Sequence, residues 1–118
     1  MIAAADPWWA IEAVARWCRY RVSPPSAVQR LRVEDVAVAE PPSAGHRRMA
    51  RHVDRILATL GIRCLGRAVV VAEMLRSRGE SAELVMAVHA EDPRQAHAEV
   101  AVGGWQLRPL PDSYHRLT

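Results

Sequence analysis

Between Pro7 and Val22, apolar residues fall at Trp8, Ile11, Val14, Ala15 and Cys18, the spacing of one helix face, leaving Glu12, Arg16 and Arg19 for the wetter side. Asp6 suits the N-cap of that helix and Pro7 its first turn, where a missing N–H costs nothing. Ser23-Pro24-Pro25-Ser26 ends it. AVQRLR then suggests a short helical piece, and VEDVAVAE reads equally as a strand or an irregular connector. The clearest linker is Pro41-Pro42-Ser43-Ala44-Gly45. From His46 to Leu60 the residues Met49, Val53, Ile56, Leu57 and Leu60 make one apolar stripe, and Gly61 stops the helix. Cys64 opens a further apolar stretch, LGRAVVVAEMLRSR, which stops at Gly79 with Arg76 and Arg78 in the last turn, where cations suit the helix dipole.

At Ala82 the period changes. AELVMAVHA reads as a strand, EDPRQ as a turn, and HAEVAV with WQLRPL as a hairpin across Gly103-Gly104, a pair that tolerates the positive φ of a tight turn. Helices followed by a small antiparallel sheet predict an α+β fold. With 118 residues, of which 50% are hydrophobic, the chain can bury one modest core, so residues 1–118 are expected to form a single domain. Within it a helical region, 1–45, precedes a sheet-bearing region, 46–118.

Charge changes this picture only slightly. The net charge of +3 raises nucleic acid as a partner, but all basic residues are arginine, a pattern that GC-rich coding explains without phosphate binding. Trp8, Trp9, Trp17 and Trp105 suit a core or a protein interface better than base stacking. Neither nucleic acid nor a membrane is an expected partner. Arg16, Arg19 and Arg21 interrupt one apolar run and Glu73 and Arg76 another, well short of the about 20 residues of a membrane span. The start of the chain lacks a secretory pattern, so a cytoplasmic, reducing location is expected, with Cys18 and Cys64 as free thiols. No Cys or His pair has the short spacing of a zinc motif, and neither metal nor cofactor is expected.

Cys64 is the residue with chemistry in view. Unpaired amides and aligned peptide dipoles at a helix N-terminus favour a thiolate, and the same amides bind an oxyanion. The alternative is a small buried hydrophobe, which is also how Cys18, inside a helix among tryptophans, is read. A nucleophilic cysteine needs a base. His97, on a strand at the start of the hairpin, is the best placed histidine; His46 and His52 read as solvated, His89 ends a strand and His115 lies near the terminus. Arg47, Arg48, Arg51 and Arg55 form either a solvated helix face or a docking site for an acidic peptide or protein.

Residues 46–117 resemble the leader peptidase of lasso-peptide biosynthesis, a cysteine protease with a transglutaminase-like, papain-like core. The resemblance lies in Arg63-Cys64-Leu65-Gly66-Arg67-Ala68, in Met74 to Gly79, in the strand Ala82 to Val88, in His97-Ala98, in Gly104 and in Tyr114-His115-Arg116-Leu117. It implies a peptidase that removes the leader from a ribosomally made precursor peptide. Cys64 would attack the scissile carbonyl, His97 would act as general base and then acid, and an acid on the following strand would orient the imidazole.

The family's acid position, twelve residues after the histidine, is Pro109 here. Asp112 is the nearest substitute, and Glu99, which shares a strand face with His97, is a second candidate. Gly66, where a substrate backbone could approach closely or another helix could pack, and Trp105 are the candidate substrate contacts. The family also implies two protein partners: a separate leader-binding recognition-element protein, since the first 45 residues read as helical, and a lasso macrolactam synthetase. The missing acid equally fits a catalytically weak or inactive scaffold that binds the precursor and the maturation proteins.

Overall fold

The structure, a computed structural model, describes residues 7–22, 41–92, 94, 96–108 and 114–116. The expected cap Asp6, the AVQRLR and VEDVAVAE segments, Pro109 and Asp112 lie outside the described residues. Helices α1 (Pro7–Val22), α2 (Ala44–Thr59) and α3 (Cys64–Ser77) precede strands β1 (Glu83–His89), β2 (Ala96–Val102), β3 (Trp105–Gln106) and β4 (Tyr114–Arg116). The expected α+β order is therefore present. The strands form one antiparallel sheet in the order β3-β2-β1-β4.

Helix α2 begins where Ser43, in extended conformation, turns its hydroxyl to accept from the His46 amide at 3.2 Å, the ordinary N-cap bond. Its core stripe is Met49, Ala50, Val53 and Leu57. Leu60, read as the last member of that stripe, is 58% exposed because it is the C-cap and lies past the helical period. A glycine follows the end of each of α2 and α3, as the sequence predicts. Gly61 (φ 78°) and Gly79 (φ 89°) take the left-handed conformation that side chains resist. The amides that follow, of Ile62 and Glu80, donate to the carbonyls of Leu57 and Leu75 at 3.0 and 3.1 Å.

Helix α3 is apolar nearly all round and accordingly central. Val69, Val70, Val71, Ala72, Met74 and Leu75 are fully buried, and the helix packs against α1, α2, β1 and β2.

Helix α1 presents the opposite face from the one expected. Trp8, Ile11 and Val14 are 70%, 58% and 39% exposed, while Ala13 is fully buried and Trp9, Trp17 and Tyr20 pack on the core. Both faces of this helix are apolar, so periodicity offers two answers. The packed one brings three large aromatic bodies to the core around a small Ala13 that lets the backbones approach. Glu12 and Arg16, read as the wet side, border the packed face. Glu12 accepts from Arg78 Nη2 at 2.8 Å and from Arg16 Nε at 2.9 Å, tying α1 to the end of α3. The Arg78 bond holds the Glu12 carboxyl below the usual carboxylate range despite partial burial.

In the sheet, residues opposite one another share a face. Leu84 pairs with Val100 and Met86 with Ala98, and these face the core beneath α3 together with Val102. Val85 pairs with Glu99 and Ala87 with His97 on the other face. The hairpin between β2 and β3 turns at Gly103 (φ 60°). Strand β3 is shorter than WQLRPL suggests: it covers Trp105 and Gln106, and one further bond, from the Leu107 amide to the Val100 carbonyl at 3.0 Å, extends its pairing with β2. The opposite edge is filled by β4, which pairs Tyr114 with His89.

Candidate active site

Cys64 is the first residue of α3, and the residue before it, Arg63, is extended and makes no side-chain capping bond. The amides of the first turn are therefore not engaged by a cap side chain, which leaves them free for an oxyanion. The thiol is half-buried against the core cluster, and among the described residues it makes no hydrogen bond. The contrast with α2, whose N-terminus Ser43 caps, is what sets the α3 end apart.

His97 and Glu99 sit two residues apart on β2 and reach one another: His97 Nε2 lies 3.5 Å from Glu99 Oε2. That separation is long for a hydrogen bond and close enough for an ion pair once the ring is protonated. Glu99 is 2% exposed and held in place by backbone, its Oε1 accepting from the Val100 amide at 2.9 Å. Burial pushes the Glu99 carboxyl above the usual carboxylate range, against the opposing pull of the Val100 amide, the His97 ring and the Arg108 amide. With Nε2 turned to the acid, Nδ1 is the nitrogen left to accept a proton from a nucleophile.

Strand alternation places His97 and Glu99 on the sheet face turned away from α3, the helix that Cys64 opens. On that face Tyr114 of β4 stacks at a tilt on His97, with ring centroids 5.9 Å apart, and edge-on against His89 at 5.3 Å. In the sequence Tyr114 belongs only to the segment Tyr114-His115-Arg116-Leu117, which resembles the tail of the leader peptidases. Its pairing across β1 is what makes it a wall for the imidazole.

The remaining candidates divide. Asp112 lies outside the described residues. Trp105 is half-buried in β3 and packs on the core. Gly66 is buried, and a Cβ there would meet Ile62 Cγ2 at 3.0 Å and Trp17 Nε1 at 3.4 Å. Close helix packing therefore explains this glycine.

Three sequence readings need correction. Cys18 is exposed rather than buried, because α1 turns its other face inward. His46 is not simply solvated, since its Nδ1 lies 2.6 Å from Glu80 Oε2. His52 is half-buried with its ring 6.0 Å from that of Trp9. Sequence reasoning also missed Asp54, which is 6% exposed on α2. It accepts from Arg67 Nε of α3 at 3.0 Å and from Arg108 Nη2 beyond β3, and Arg67 Nη1 donates to the Ile62 carbonyl at 2.7 Å. An Asp and an Arg thirteen residues apart across a Gly turn give no periodic signal; only the antiparallel return of α3 on α2 brings them together.

No helix among the described residues is long and apolar enough to cross a membrane. The family described as the transglutaminase-like superfamily matches residues 8–118. No curated protein and no solved structure matches the chain.

Proposed function

The chain belongs to the transglutaminase-like superfamily, and within it we propose a cysteine peptidase that removes the leader from a lasso-peptide precursor. The observation that carries the chemistry is the His97–Glu99 pair, an imidazole with its Nε2 beside a buried carboxylate and its Nδ1 left over. Cys64 at the uncapped tip of α3 supplies the nucleophile. His97 takes the thiol proton on Nδ1, and sulfur bonds to the scissile carbonyl carbon while the carbonyl oxygen turns to the first-turn amides. The C–N bond then breaks as His97 returns the proton to the leaving amine, and water releases the acyl group by the reverse sequence. Glu99 holds the ring in place. We assign it, ahead of Asp112, as the orienting acid.

In this reading the protein works on the precursor peptide beside a separate leader-binding protein and the macrolactam synthetase. The reading requires that binding of the precursor bring the Cys64 thiol to the His97 ring, which lies on the sheet face turned away from α3. The test is cleavage of a precursor in a reconstituted mixture. Cys64→Ala is expected to abolish cleavage with the fold intact, and undiminished cleavage by that variant would remove the proposal.

A second reading, an inactive scaffold that binds the precursor, is favoured by one relation: His97 and Glu99 occupy the sheet face opposite to α3. The two separate on thiol protection, because a working nucleophile is blocked by a peptidyl aldehyde or chloromethyl ketone, whereas a scaffold thiol leaves such probes unreacted.

A further inference from the structure

We propose that the outward face of α2 is a docking surface for an acidic polypeptide segment. Arg47, Arg48, Arg51 and Arg55 lie along that face, and among the described residues none of them has a hydrogen-bond, ion-pair or ring partner. Other arginines are used differently. Arg16 and Arg78 bind Glu12, Arg67 and Arg108 bind Asp54, Arg76 donates to the Ala82 carbonyl, and Arg21 lies over Trp17. The helix's own acid, Asp54, is therefore already occupied. Arg47, Arg51 and Arg55 follow one another at i, i+4, where like charges destabilise a helix. A repulsion kept without any internal partner points to an external one.

The surface does not end on α2. Arg51 and Arg55 share a concavity with Arg108, whose backbone amide stands near enough to the Glu99 carboxyl to pull against its burial. A chain laid along the arginines is thus led toward the His97–Glu99 pair. Successive arginines one turn apart stand about 6 Å from each other, close to the about 7 Å between alternate residues of an extended peptide. Aspartate or glutamate at alternate positions would meet them in turn. Nucleic acid fits less well. The two concavities are lined by Ala44, His52, Ala58, Thr59 and Leu107 besides the charged residues, with no tryptophan or tyrosine on which a base would stack. Four guanidinium groups also fall short of the about 6–10 phosphate contacts that sustain strong electrostatic binding to DNA.

That the segment belongs to the substrate rests on the peptidase reading; the surface and its ligand class do not. Fluorescence polarisation on the full chain tests it, using a labelled peptide of alternating glutamate and serine, its glutamine counterpart and a single-stranded oligonucleotide of equal charge. The glutamate peptide is expected to bind, to weaken as salt rises, and to exceed the glutamine peptide by about tenfold or more. Arg51→Glu with Arg55→Glu should weaken it by about tenfold or more while the melting curve stays close to that of the parent protein. Cys64→Ala should bind like the parent, so loss of the arginine effect and loss of the peptidase reading are read separately. Unaltered affinity in the charge-reversed protein, absence of binding by the glutamate peptide, or tighter binding of the oligonucleotide would each overturn the proposal.

Discussion

Glu99 places its Oε2 3.5 Å from Nε2 of His97, two residues back on the same strand, while its Oε1 is fixed by the Val100 amide. A strand sets alternate side chains side by side on one face, so the acid needs no second strand to reach the ring. The backbone anchor on Oε1 keeps the carboxylate from rotating away. If this pair orients the base, Glu99→Gln should lower kcat for leader removal by up to about 10⁴. Asp112→Asn should leave it near the parent value. The opposite ranking in a single-turnover assay would transfer the orienting role to Asp112.

Burial raises the Glu99 carboxyl above its unfolded value, so the folded state holds a proton that the unfolded state has already lost. The sign of the pH dependence follows. Stability from this group is fully present below the unfolded carboxylate pKa and is lost as pH rises through the folded value. Glu12 has the reverse sign, because its bond to Arg78 lowers it: its contribution is present above the unfolded value and lost as pH falls through the folded one. Urea melts of Glu99→Gln should show a gain over the parent at neutral pH that vanishes in acid. Glu12→Gln should show a loss at neutral pH that vanishes in acid.

The two faces of α1 predict unequal mutational costs. Ile11→Ser, on the outer face, should change stability by no more than about 0.5 kcal/mol. Ala13→Leu, at a fully buried position on the other face, should cost about 1–3 kcal/mol by overpacking. Thermal melts of the pair check the orientation of the helix.

Gly66→Ala sets two effects against each other. Alanine gains about 1 kcal/mol of helix propensity, but its methyl would stand 3.0 Å from the buried Ile62 Cγ2 and 3.4 Å from Trp17 Nε1. The clash should win by about 1 kcal/mol. Tryptophan fluorescence would report the displaced Trp17.

Asp54 holds Arg67 and Arg108, so Asp54→Ala leaves a mostly buried Arg67 guanidinium with only the Ile62 carbonyl. A loss of about 3 kcal/mol is expected, reduced by the exposure of Arg108, whose side chain is 51% accessible. Chemical denaturation measures it. A loss of much less than 1 kcal/mol would mean that the network is not structural.

The helix stops, the apolar α3 and the turn at Gly103 were legible in the sequence because each is local: a left-handed glycine, a run of valines, a Gly-Gly pair; the cap at Ser43, which the sequence placed in a linker, was not. The placement of His97 on a strand and Cys64 at a helix start was legible for the same reason. Tertiary structure alone decided the rest. The inward face of α1 was a choice between two apolar stripes, settled by which one fits against α2 and α3. The joining of Asp54 to Arg67 and Arg108, the pairing of β4 with β1 that brings Tyr114 to His97, and the filling of the space above Gly66 by Trp17 link residues distant along the chain. Periodicity records what a segment can bury, not what it is buried against. That second quantity exists only when the elements pack.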